Sequence, residues 1–168
     1  MAITSAICNS FKQELLVEGH NLTNGADSIK LALYTSSATL GAGSTVFVTT
    51  GQSSGTNYSS GGNALTNVTP ALSGSVAVCD FADLTFGTAT VTARGCLLYN
   101  STNGNKAIAA IDFGGDKTST AGDFTVVFPR KNWWLGKANR KHIHWLSESI
   151  TLLDFSRRVK IPGYRHNQ

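Results

Sequence analysis

The sequence predicts a mainly β protein: an antiparallel β-sandwich, jelly-roll-like, with one N-terminal amphipathic helix and a basic aromatic C-terminal arm. Three observations lead there. Short segments rich in Val, Ile, Thr and Phe recur between clusters of Gly, Asn, Ser and Asp, the spacing of strands joined by turns. Only one stretch has helical spacing. The charge also breaks at Pro129: residues 1–128 hold five Lys or Arg against eight Asp or Glu, a net −3, whereas residues 129–168 hold nine against two, a net +7, together with all three tryptophans. A shift this sharp marks a module boundary, giving a β-sandwich body with its helix over 1–128 and an arm over 129–168. With 168 residues, 41% hydrophobic and 14% charged, the chain is long enough for one core and too poorly charged to be held open by repulsion.

Taken in order, Ile3, Ile7, Phe11 and Leu15 fall four apart, Ala6 and Leu16 widen the stripe, and Gly19 supplies a stop, predicting a helix over residues 4–18. From residue 28 the period changes to two. Ile29, Leu31 and Leu33 alternate with Lys30, Ala32 and Tyr34, as in a strand with one buried face. Residues 45–50, 63–69, 75–82, 88–93, 95–100, 106–113 and 123–128 read as further strands. Asn103-Gly104 between two of them is the strongest hairpin signal in the chain, so 95–100 and 106–113 are expected to pair. The Gly-, Ser- and Thr-rich stretches 35–44 and 51–62 are expected to be surface loops.

No apolar run approaches the ~18 residues that cross a bilayer, and the first residues lack a secretory-signal pattern, so no membrane partner or export by that route is expected. Cys8, Cys79 and Cys96 are odd in number and widely spaced, which argues for small core residues over disulfides or a zinc knot. The run Gly114-Gly115-Asp116-Lys117-Thr118 resembles a phosphate loop only superficially, because the Asp116 carboxylate would repel the phosphate. Asp112, Asp116 and Asp123 supply hard oxygens but match no calcium-loop spacing, and turn carboxylates are the preferred reading. His20 stands alone in the body as a potential base, and its place beside Gly19 suits a helix end. No nucleophile, base and orienting group can be assembled, so neither an enzyme nor a cofactor is expected.

His142-Ile143-His144 would put two imidazoles on one face of a strand, but two ligands do not close a metal site, and a basic surface stretch is the preferred reading. In the same arm Arg130, Lys131, Lys137, Arg140 and Lys141 interleave with Trp133, Trp134 and Trp145. Such a mixture suits phosphate neutralisation and base stacking, or tryptophans filling pockets on a protein while arginines pair with carboxylates. The acidic body offers a complementary surface, so protein docking through Trp133, Trp134, Trp145, Arg140 and Lys141 is favoured over nucleic acid. Phe11 on the helix completes the expected partner-binding set, against the sandwich or a neighbouring copy.

Six segments in order, AICNSFKQELLVEGHNLTN, IKLALYTSSATLG, GTNYSSGGNALTNV, CDFADLTF, ATVTARGCLLYNS and AIAAIDFGGDKTSTAGDFTVVFP, resemble a family of small virion structural proteins of tailed bacteriophages. The resemblance covers residues 1–129. It implies a β-rich particle component with no catalytic or metal residues to carry over. The expected function is a non-enzymatic virion protein, most plausibly in the tail at its distal end, baseplate or fibre, assembled in the host cytoplasm. Its expected partners are other virion structural proteins and further copies of itself, as a trimer or higher. Capsid decoration is the first alternative. A carbohydrate-binding adhesin is the second, with Tyr58, Tyr99 or an exposed Trp stacking on host-surface glycan. After residue 129 the chain departs from the family pattern, and residues 149–155 (SITLLDF) offer a replacement for its closing strand.

Overall fold

The computed structural model describes residues 2–73 and 75–128, with the backbone of 159–160. The described residues are mainly β, their strands pair antiparallel, and they include one short helix. The frame is a single hairpin. β7 (Leu84–Asn100) and β8 (Lys106–Val126) pair along their whole length through the turn that contains Gly104. That turn is left-handed at two successive residues, Gly104 and Asn105 (φ 61° and 57°), one position later than an Asn103-Gly104 two-residue turn would place it.

Smaller strands flank the hairpin. β2 (Ile29–Tyr34) lies against the Gly95–Asn100 half of β7, and β4 (Asn63–Ala64) lies outside β2. β1 (Ala6–Ile7) pairs with Ala109 and Ala110 of β8. At the other end β3 (Gly55–Thr56) joins β7, and β9 (Val159–Lys160) joins β8 at Val126 and Thr125. These seven strands form one sheet. β5 (Asn67–Ser73) and β6 (Val76–Phe81) make a separate two-stranded ribbon that, among the described residues, pairs only with itself.

The helix is shorter than its stripe predicts. α1 (Asn9–Leu15) retains Phe11 and Leu15, but Ile3 and Ile7 reach the core from extended backbone. The cause is where the backbone hydrogen bonds go: Thr4 N–H donates to Leu40 O, Cys8 N–H to Ile108 O, and β1 to β8. Once those donors are satisfied by the sheet, a first helical turn has nothing to add.

Two more expectations change for physical reasons. Residues 88–93 and 95–100 are one strand, as are 106–113 and 123–126, because the polar run between the latter pair finds its ladder partners on β7. There Thr92 and Thr118 hydroxyls pair at 2.8 Å, Thr85 and Thr125 at 2.9 Å, and register shifts absorb the irregular spacing. Residues 45–50 are not a strand. They hold one isolated bridge, Val46 to Lys106, with Val46 and Val48 half out in solvent.

β2 is buried on both faces, not one: Leu31 and Leu33 on one side and Ala32 and Tyr34 on the other are inaccessible. The long 35–62 connection provides part of that cover and is tied down by tyrosines. Tyr34 donates to Val48 O, Tyr58 accepts from Leu33 N–H at 2.8 Å, and Tyr99 donates to Gly61 O at 2.8 Å. Gly62, at φ +66°, lets this connection press on Leu31, where any β-carbon would strike the Leu31 carbonyl.

Candidate functional site

Among the described residues the ionisable groups concentrate at one place, where α1 and the segment after it meet the β7–β8 turn. His20 follows the helix, and its ring is fully enclosed, edge-on to Phe11 at 4.8 Å between centroids. Nε2 lies 2.7 Å from Glu14 Oε2, and Nδ1 lies 3.0 Å from Asn100 Nδ2. Glu14 uses its other oxygen for the Lys106 ammonium at 3.4 Å. Asn100, the last residue of β7 and wholly buried, also donates to Asp27 Oδ2 at 2.6 Å and accepts the Thr102 and Asn103 N–H groups at 3.0 and 3.1 Å. Asn103 donates in turn to Gly19 O.

The arrangement joins two stretches far apart in sequence, residues 14–27 and 100–106, and satisfies the end of the hairpin with polar groups in place of water. His20 is therefore not the lone helix-end residue that its neighbours in sequence suggest. Its imidazole is enclosed, and among the described residues no hydroxyl or thiol is hydrogen-bonded to it. Cys8 lies close enough for the Glu14 charge to act on it, yet burial foremost and that charge second push its thiol up to about 11, away from the thiolate a nucleophile needs. Glu14 and Asn100 meet His20, and Asp27 meets Asn100, only through the fold.

The acidic residues weighed for calcium sit on β8, not at turns. Asp112 accepts from Arg94 Nε at 2.8 Å, and this hydrogen bond holds its carboxyl below the usual carboxylate range. Asp123 accepts the Thr88 N–H at 3.1 Å, and no group of three His, Cys, Asp or Glu suited to a metal ion occurs among the described residues. The Gly114-Gly115-Asp116-Lys117-Thr118 run is an interior part of β8. Cys8 and Cys96 are buried and Cys79 half-buried, all three as free thiols.

Of the expected contact residues, Phe11 is 2% exposed within its own chain, so its ring is taken up by the intramolecular core. Trp133, Trp134, Trp145, Arg140 and Lys141, with the His142/His144 pair and residues 149–155, lie outside the described residues. Tyr58 and Tyr99 have no ring face to offer a sugar, being 8% and 3% exposed with Phe86 and Phe47 against them. The surface that stands out was not singled out in the sequence. The β5–β6 ribbon exposes Val68 (48%) and Leu72 (72%), and at the end of α1 Leu16 and Val17 are also exposed. The base of the ribbon is fixed: Asn67 donates to Leu22 O and Asp27 O, Thr69 accepts the Asn24 N–H, and Phe81 packs against Phe128.

Compared with family models, with curated proteins and with solved structures, the chain has no match.

Proposed function

We propose that the protein is a non-enzymatic structural component of a tailed-phage virion, stationed in the tail, that acts by homo-oligomeric assembly and by docking to other virion proteins. One observation carries the docking part: the ribbon, anchored at its base and paired with no other strand among the described residues, holds Leu72 and Val68 out to solvent. Apolar side chains on a braced two-stranded projection are a surface whose burial favours association, at about 25 cal/mol per Å² removed from water. The virion assignment rests on the resemblance over residues 1–129. In this reading the sheet and ribbon belong to one jelly-roll-like sandwich, residues 129–168 form the basic arm that grips a neighbouring protein, and the enclosed polar cluster around His20 serves the fold.

Localising the chain in purified particles by labelled electron microscopy, with its copy number, tests the proposal. A few to a few dozen copies at the tail are expected. Hundreds of copies over the head would replace the tail by capsid decoration, and absence from the particle would overturn the virion reading altogether.

A further inference from the structure

The polar cluster fixes where the proton of His20 sits. Asn100 Oδ1 accepts two backbone N–H groups, from Thr102 and Asn103, so its carboxamide cannot be turned over without stranding both. Its Nδ2 must then face outward, with one hydrogen on Asp27 Oδ2 at 2.6 Å and the other aimed at His20 Nδ1 at 3.0 Å. A donor aimed at Nδ1 requires Nδ1 to be an acceptor. On the opposite side of the ring the Glu14 carboxylate, 2.7 Å away, only accepts, so Nε2 carries the hydrogen. The neutral Nε2–H imidazole makes both of these contacts as hydrogen bonds.

We propose that His20 is a proton-controlled latch between the post-helical segment and the β7–β8 turn: neutral it joins Glu14 to Asn100, and a second proton, on Nδ1, breaks the joint at Asn100. The imidazolium would point an N–H at an NH₂. The carboxamide answers by turning over to offer Oδ1 to the new N–H, which releases the Thr102 and Asn103 N–H groups from that oxygen. The turn loosens while α1 stays on the sheet through Phe11. The charged groups facing the ring act in opposed directions. Glu14 attracts the added proton, but Lys106 already holds its other oxygen at 3.4 Å. Asp27 faces the ring only across Asn100, whose Nδ2 donates to its carboxylate. The Cys8 thiol, pushed up to about 11, remains uncharged. This device does not depend on where in a particle the protein resides.

Two measurements on the full chain test it. A long-range proton–nitrogen correlation spectrum at neutral pH is expected to show His20 with the proton on Nε2 and a bare Nδ1; a proton on Nδ1 overturns the proposal. Amide exchange, corrected for its intrinsic pH dependence, is then followed as pH is lowered from neutral, with the His20 ring signals recorded alongside. Protection at Thr102 and Asn103 is expected to fall at least tenfold, with Leu97 and Leu98 unchanged, and His20→Gln is expected to remove that step. A step that persists in His20→Gln, or none in the native chain, refutes the latch.

Discussion

Phe11 lies on the side of α1 that packs on β8, edge-on to His20, and its burial ties the helix to the sheet. Phe11→Ala is expected to lower unfolding free energy by about 3–5 kcal/mol in urea titrations, the usual cost of truncating an enclosed Phe. Gly62→Ala tests a different cause. A β-carbon there meets the Leu31 carbonyl at a φ that disfavours any L side chain, so β4 cannot keep its place beside β2. The variant should lose at least about 2 kcal/mol by the same measurement, although it removes no atom from the core. Arg94 and Asp112 set a pH dependence. The Asp112 carboxyl is depressed in the folded chain, so its contribution is complete above the ordinary unfolded value near ~3.9 and is lost as pH falls through the folded one. Unfolding free energy measured against pH should therefore fall less steeply in acid for Asp112→Asn than for the native chain.

At the scale of elements, the β5–β6 ribbon separates stability from association. Leu72→Asp puts a charge where the side chain is already in solvent, so the melting transition should shift by no more than about 0.5 kcal/mol in stability. Oligomer formation, read by sedimentation, should nevertheless weaken, and unchanged assembly would remove the ribbon from the proposed interface. The elements also show which signals in the sequence suffice. β2, β6 and the Asn103-Gly104 hairpin are legible because alternation and turn chemistry act locally. The extent of α1 is not: the stripe through Ile3 and Ile7 fits a helix and fits extended backbone equally well once β8 takes the hydrogen bonds of residues 4–8. Residues 114–122 carry turn-like composition and still extend β8, because the ladder to β7 outweighs intrinsic preference. The cluster at His20 was illegible for the same reason. Asn100 is 80 residues from the ring it meets, and nothing in its neighbours indicates a buried carboxamide.

For the whole molecule, β9 adds a short edge to the sheet, with Val159 paired to Val126 and Lys160 to Thr125. Deleting residues 129–168 should leave the β-rich circular dichroism of the body intact, because β9 adds only two residues to a sheet whose core lies around β2, β7 and the first half of β8. Loss of oligomerisation in that truncation would assign the contacts to the arm, and an unfolded body would make the arm a structural part of the sandwich. The long hairpin has a mechanical consequence as well. A β7 of 17 residues, at about 3.3 Å each, is a strut of roughly 50 Å whose cross-strand bonds lie perpendicular to its axis. Tension applied along the axis, with one handle near Asn100 and the other near Val126, runs through the turn into the already extended backbone of β8 and leaves those bonds little loaded. Tension that parts Leu84 from Val126 loads them one at a time, like a zipper. Force spectroscopy should find a rupture force several times higher in the first geometry, giving the protein a stiff direction and a weak one.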